Sequence, residues 1–231
     1  WGNPAGQAIF HLHGGPGSGC DDSNKAIYNP KNHRVIFLDQ RGSGKSKPAA
    51  SLKENTTDKL IDDIQQIILK LGLKKVNIYG RSWGSTLALC YAINYPDKVK
   101  TLIIGGVFLG TQPEIDWIEK AQFRTFYPEV EKEEKITPYT YAKLAIPTLK
   151  LDDRFQLPER EDFDENKFKI ELHYTANSCF LPDNFILDNA GKIKSPVHII
   201  QGRYDMMTPP INAYNLAQEL ERGKIYWTIA G

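Results

Sequence analysis

Gly80-Arg81-Ser82-Trp83-Gly84 decides the fold, because it spells G-x-S-x-G directly after the apolar run Val76-Asn77-Ile78-Tyr79. The run reads as a buried strand, and 85–95 reads as a helix. A serine on a strand-to-helix turn, with glycines two residues before and two after, is a nucleophile elbow. The turn strains the backbone at the serine, and only small neighbours let strand and helix pass so closely. It leaves a hydroxyl exposed at a helix N-terminus, where free N–H groups and the helix dipole favour developing negative charge.

Outward from the elbow, apolar runs of strand length recur at 8–12, 35–38, 101–104, 197–200 and 225–229. They are mostly continuous rather than alternating, which suits strands covered on both faces of a parallel sheet. Between them Leu60, Ile64, Ile67, Ile68 and Leu71 share one helical face, with Thr56 or Thr57 as N-cap and Gly72 as the stop. Leu87, Leu89, Cys90, Tyr91 and Ile93 form the next helix, ended by Pro96. Alternating strands and helices predict an α/β protein with a doubly wound, mostly parallel sheet. The rhythm breaks over 108–194, which is richer in charge and aromatics and reads as a mainly helical insertion. There it would sit over the carboxyl ends of the strands as a cap, or form a helical subdomain without a catalytic role. The expected division is a core of 1–107 and 195–231 with a cap of 108–194. The charge cluster at 129–135 reads as a solvated face.

At 231 residues the chain can bury one sizeable core. Its 29 basic and 28 acidic residues leave a net charge of +1, so no electrostatic case exists for nucleic acid or an anionic membrane. No apolar stretch reaches membrane-span length. Cys20, Cys90 and Cys179 are scattered without metal-like spacing and read as reduced thiols of a cytoplasmic protein, with Cys90 in the core. No signal peptide is visible, and Trp1 does not look like a natural start, which suggests a trimmed chain.

Three further motifs follow strands. His13-Gly14-Gly15-Pro16-Gly17 can aim backbone N–H groups at one point. Beside an elbow that point is an oxyanion hole, built from the N–H of Trp83 and one from this loop, with Gly15 the candidate. By itself the motif would equally suit a phosphate-binding or structural turn. His13 reads as a loop support, and Gly15-Pro16 as a candidate cis bond. Asp39-Gln40-Arg41-Gly42-Ser43-Gly44-Lys45-Ser46 imitates a P-loop, but Asp39 stands where that pattern needs glycine. The preferred reading is a structural loop in which Asp39 and Arg41 pair and which shapes the floor of the site. Gly202-Arg203-Tyr204-Asp205 places a carboxylate at the end of a late strand, where the orienting acid of a Ser…Asp…His triad belongs, or where it caps the next helix. None of the five histidines, His11, His13, His33, His173 and His198, follows Asp205. His198 precedes the acid within a strand and is expected to face the core.

Taken together, H-G-G-P-G at 13–17, D-Q-R-G-S-G-K-S at 39–46, S-W-G-S-T-L-A-L at 82–89 and G-R-Y-D at 202–205 resemble the proline iminopeptidases (prolyl aminopeptidases). The resemblance runs over 1–126 and again from about 169 to 231. It implies an α/β-hydrolase fold and a serine peptidase without metal or cofactor, releasing N-terminal proline from small peptides with a free N-terminus. Carried over, Ser82 is the nucleophile, Asp205 the acid, and Gly15 and Trp83 the oxyanion donors. The family's histidine follows an A-G-like pair, so it is expected directly after Gly231, in a chain truncated at both ends and impaired as it stands. Ile170-Glu171-Leu172-His173-Tyr174 resembles a cap segment that holds the substrate's amine, which makes Glu171 the amine-anchor candidate. A helix-surface glutamate is the alternative. The family's W-x-x-W-E stretch has no match here, and Arg81 stands where a small residue is usual. An esterase, amidase or lactonase of the same fold, or a catalytically silent binding protein, remain the rival readings. Oligomeric state is open.

Overall fold

The computed structural model describes residues 1–126, 137–139, 142 and 165–230. Six parallel strands form one sheet: β1 (Gln7–Leu12), β2 (His33–Leu38), β3 (Val76–Ser82), β4 (Val99–Val107), β5 (Val197–Gly202) and β6 (Gly223–Thr228). Their order is β2-β1-β3-β4-β5-β6, so the chain leaves β1 toward one edge and returns to its other side. That reversal opens a crevice at the carboxyl ends of β1 and β3. Both glycine-rich motifs, 13–17 and 80–84, emerge there.

Helix α1 (Thr57–Lys70) begins after Thr56 and buries Leu60, Ile61, Ile64 and Ile68. Gly72 supplies the left-handed exit with φ 65°. Helix α2 (Trp83–Asn94) is buried from Trp83 through Ile93, with no polar face. It lies on the side of β3 that carries Val76, Ile78 and Gly80, and it ends before Pro96. Helices α3 (Gln112–Asp116) and α4 (Gln122–Phe126) are joined through a π-helical turn at Trp117–Ala121. Farther along the described residues come α5 (Asn166–Thr175), α6 (Phe185–Asn189) and α7 (Pro210–Glu219). Between β4 and β5 the described residues hold helices and no strand. Helix α6 packs against α2 and α7, and Ile186, Ala190 and Ile193 join the main core. The charge cluster at 129–135 lies outside the described residues. Among the described residues no helix is long and apolar enough to cross a membrane.

The opposite sheet face carries His11, Tyr79, Ile200 and Tyr226, the last two 45% and 40% exposed. This face corrects one expectation. His198 does not point into the core. Val197 and Ile199 do, so alternation turns His198 outward, where Nδ1 meets the Tyr226 hydroxyl at 3.1 Å. His11 is buried among the rings of Tyr28, Phe37 and Tyr79, with Nδ1 2.8 Å from the Tyr28 hydroxyl.

Candidate active site

Ser82 closes β3 and caps α2 with φ 56° and ψ −127°, a conformation costly for any residue with a Cβ. The surrounding glycines make it possible. A Cβ on Gly80 would stand 2.1 Å from the Gly84 carbonyl oxygen, and one on Gly84 would stand 2.2 Å from that of Leu12. Strand, turn and helix therefore touch backbone to backbone. Trp83 N–H is the first of α2, and the first four N–H groups of a helix lack intrahelical acceptors.

The 13–17 loop runs against this turn. A Cβ on Gly14 would lie 3.5 Å from Ser82 Cβ and 3.9 Å from its Oγ. Gly15 has φ 106° and a cis bond to Pro16. Its N–H donates to no protein acceptor among the described residues. His13 is a support, as its sequence position suggested. Its Nδ1–H donates to the Gly14 carbonyl at 2.8 Å, and its Nε2 accepts the Gln40 N–H at 3.1 Å.

Asp205 follows β5. Its Oδ1 accepts the N–H groups of Met207 and Thr208 at 3.1 and 2.8 Å, and Oδ2 accepts the Thr208 hydroxyl at 2.9 Å. The carboxylate thus braces its own turn, while α7 starts later, at Pro210. The same carboxylate lies across the end of β4. A Cβ on Gly106 would stand 3.6 Å from Asp205 Oδ2 and 3.7 Å from Arg81 Cγ. A cavity of about 250 Å³ is lined in part by Arg81, Gly106, Asp205, Thr228 and Ala230. Asp205 and the residue before Ser82 therefore line one cavity. Strand β6 ends beside them, with Tyr204 N–H donating to Ala230 O at 3.0 Å.

None of the five histidines stands between Ser82 and Asp205. Both ring nitrogens of His13 are engaged, His173 Nε2 is 3.0 Å from Asn55 O, His198 meets Tyr226, and His11 meets Tyr28. His33 accepts the Asn29 N–H at 3.2 Å, far along β2.

Glu171 sits half-buried on α5, and its charge is felt at the Cys179 thiol. Its neighbour Ile170 is the residue aimed at the loops. A Cβ on Gly17 would stand 3.2 Å from Ile170 Cβ and 2.5 Å from Lys167 O. Tyr174, fully buried, packs edge-on against Trp83 with ring centroids 4.7 Å apart and donates to Asn55 Oδ1 at 2.9 Å.

The expected Asp39–Arg41 pair does not form. Arg41 is held bidentately by Asp63 of α1, at 2.6 and 2.8 Å. Asp39 instead accepts the N–H groups of Cys20 and Lys45 at 2.7 and 2.9 Å, tying the two glycine-rich loops together. Turn carboxylates are satisfied best by such nearby N–H donors, while the long arginine reaches the helix.

Gln201 is a structural partner the motifs do not reveal. Its Oε1 accepts Val107 N–H at 2.9 Å, and its Nε2 donates to Thr208 O at 2.9 Å and Asp205 Oδ2 at 3.4 Å. Val107 is in register with Ser82, so this buried amide couples the strand ends that carry serine and acid. A polar residue ending the apolar run 197–200 was its only signal. Glu114 is another. It is buried, accepts N–H bonds from Leu109 and Thr111, and receives Asn212 Nδ2 at 2.6 Å.

Burial lowers the pKa of both His13 and His11, the latter to about 4. An unfolded histidine titrates near 6.5. Above that pH neither state is protonated at these rings. Below it the unfolded chain takes up protons that the fold refuses, so stability falls as pH drops toward 4. Urea melts should show a loss of about 1–2 kcal/mol from His11 between pH 7 and pH 5, with His13 adding in the same direction. His11→Phe should flatten part of that slope; an identical slope would assign the titration elsewhere.

The α/beta hydrolase fold family matches residues 7–231. A proline iminopeptidase of Arabidopsis thaliana is 34% identical over 249 residues, covering 93% of this chain and 66% of its own length. A proline iminopeptidase of Neisseria meningitidis is 33% identical over 260 residues, covering 100% of this chain and 84% of its own. The chain thus spans just under two thirds of the Arabidopsis protein. Among solved structures, an α/β-hydrolase enzyme from a deep-sea metagenome superposes with a TM-score of 0.70 at 19% identity, covering 98% of this chain and 82% of its own. An esterase of Exiguobacterium antarcticum gives 0.64 at 20% identity, covering 96% and 83%. At such identities the structures speak for the fold alone. With a strand–Ser82–helix turn facing a glycine loop, the chain belongs to the proline iminopeptidase family of α/β-hydrolase-fold proteins.

Proposed function

We propose that the protein is a serine exopeptidase that releases an N-terminal proline, or a similar residue, from short peptides. The observation that carries this reading is Ser82 at φ 56°, set between the 13–17 loop and the strand end that carries Asp205. In this reading Ser82 Oγ attacks the carbonyl carbon of the first residue. Negative charge gathers on the carbonyl oxygen and is met by the N–H groups of Gly15 and Trp83. The C–N bond breaks, and the leaving amine takes the proton that Ser82 released. Water then hydrolyses the acyl-enzyme and restores the serine.

Asp205 orients the base in this scheme and stabilises its charged form. The family resemblance assigns the base to a histidine directly after Gly231. The position of Ala230 beside the Asp205 turn supports that assignment. The segment 108–194 is the proposed cap, with α5 crossing the glycine loop and Glu171 as the partner of the substrate's ammonium. An ammonium taken out of water requires such a charged partner. The free thiols of Cys20, Cys90 and Cys179 suit a reducing, cytoplasmic setting.

The free amine tests the assignment. With a histidine appended directly after Gly231, or with imidazole supplied in solution, a prolyl arylamide is expected to be cleaved on the order of 100-fold faster than its N-acetyl form. Equal rates would move the protein to the esterases and amidases. No turnover of either would favour a silent binding protein.

A further inference from the structure

Gln40 lies just past β2, 3% exposed, and its side-chain amide reaches two segments at once. Its Oε1 accepts the Trp83 indole N–H at 2.8 Å, and its Nε2 donates to the His13 carbonyl at 3.0 Å. Its own N–H fixes the His13 ring, which in turn draws in the Gly14 carbonyl. A trans peptide points its N–H opposite its C=O. With the Gly14 carbonyl turned toward the imidazole, the Gly15 N–H is turned the other way. Trp83 is gripped on a second side by the ring edge of Tyr174. One amide therefore spans the two segments that present the Gly15 and Trp83 N–H groups.

We propose that Gln40 is a positioning residue that sets the spacing and aim of the two oxyanion donors. The inference rests on the acyl-transfer reading of Ser82. Gln40 acts through His13 and Trp83 and need not touch the substrate. Preorganised donors act on charge that exists only in the transition state, so misaimed donors slow the chemical step and leave ground-state binding intact. A glutamine that merely satisfied buried polar groups would affect stability without that split.

The test uses Gln40→Glu, which keeps an acceptor for the indole and replaces the donor to His13 by an oxygen. Trp83→Phe is the second variant; it removes the indole N–H and keeps the main-chain donor. Both are assayed, with the base supplied as above, for kcat and KM on a prolyl arylamide. Affinity is measured for a prolyl aldehyde, whose serine adduct carries the oxyanion, and for L-proline. The expected result in each variant is a fall in kcat of about tenfold to 100-fold. Aldehyde affinity should fall by a matching factor, with KM and L-proline affinity within about twofold. The double variant should add little to either single one. If Gln40→Glu fails to fold, Trp83→Phe decides alone. Unchanged kcat and aldehyde affinity in folded variants overturn the inference while leaving the serine reading standing. An unsubstituted protein that, with the base supplied, neither turns over the arylamide nor is labelled at Ser82 by a fluorophosphonate overturns both.

Discussion

With a histidine supplied directly after Gly231, Ser82→Ala is expected to reduce turnover of an N-terminal prolyl arylamide by on the order of 10⁴–10⁶-fold. The substitution removes the only atom that the proposed mechanism makes covalent. Alanine also has a Cβ, so the strained angles at φ 56° persist and the fold is undisturbed. Substrate affinity and thermal midpoint should therefore stay near those of the parent. The rate that survives would come from binding and from the Gly15 and Trp83 donors acting on a water molecule. Turnover within about 100-fold of the parent would remove Ser82 from the chemistry.

Gly84→Ala should produce a large loss of stability from a single methyl group. The added Cβ would lie 2.2 Å from Leu12 O and 3.0 Å from His13 O. Both obstacles are main chain, so no side chain can swing aside. The end of β1 must move away from α2, at a cost of about 3 kcal/mol or more. For a chain of this size that corresponds to a fall in Tm of roughly 10 °C. Gly191→Ala is the control, since a Cβ there meets nothing within 4 Å. Calorimetry giving the two variants the same Tm would refute the backbone-contact account. Activity should fall as well, because the displaced carbonyls belong to Leu12 and His13, where the glycine loop begins.

The sheet was legible in the sequence because its signals are local. Continuous apolar runs such as Val197-His198-Ile199-Ile200 belong to a strand whose inner face is buried, and all six expected runs became strands. The elbow was legible for the same reason, since glycines at fixed offsets from Ser82 report a contact between adjacent elements. Partnerships between distant segments were not legible. Arg41 reaches Asp63 across a crevice, and Asp39 serves two loops, so their nearness in sequence misled. His198 was misplaced because a continuous run hides which residues face outward when only one side of the strand is packed. Gln40 lies inside the 39–46 motif without a role that the motif reveals, and Gln201 lies in no motif. Their roles exist only once β2 and β5 have brought each amide to its partners. The contact of Ile170 with the glycines at 17 and 42 likewise has no signal in the sequence.

The unusual angles of Ser82 also say something about the order of events during folding. Locally, that conformation is unfavourable, and nothing within the pentapeptide 80–84 alone can hold it. It is imposed by β1, which is separated from β3 by β2 and α1, and by β4, which follows only after α2. Parallel neighbours of this kind close late, after long loops have lost their freedom. A nascent or half-assembled chain would therefore carry a relaxed, inert serine. In the acyl-transfer reading proposed above, reactivity at Ser82 would arrive only with the finished architecture.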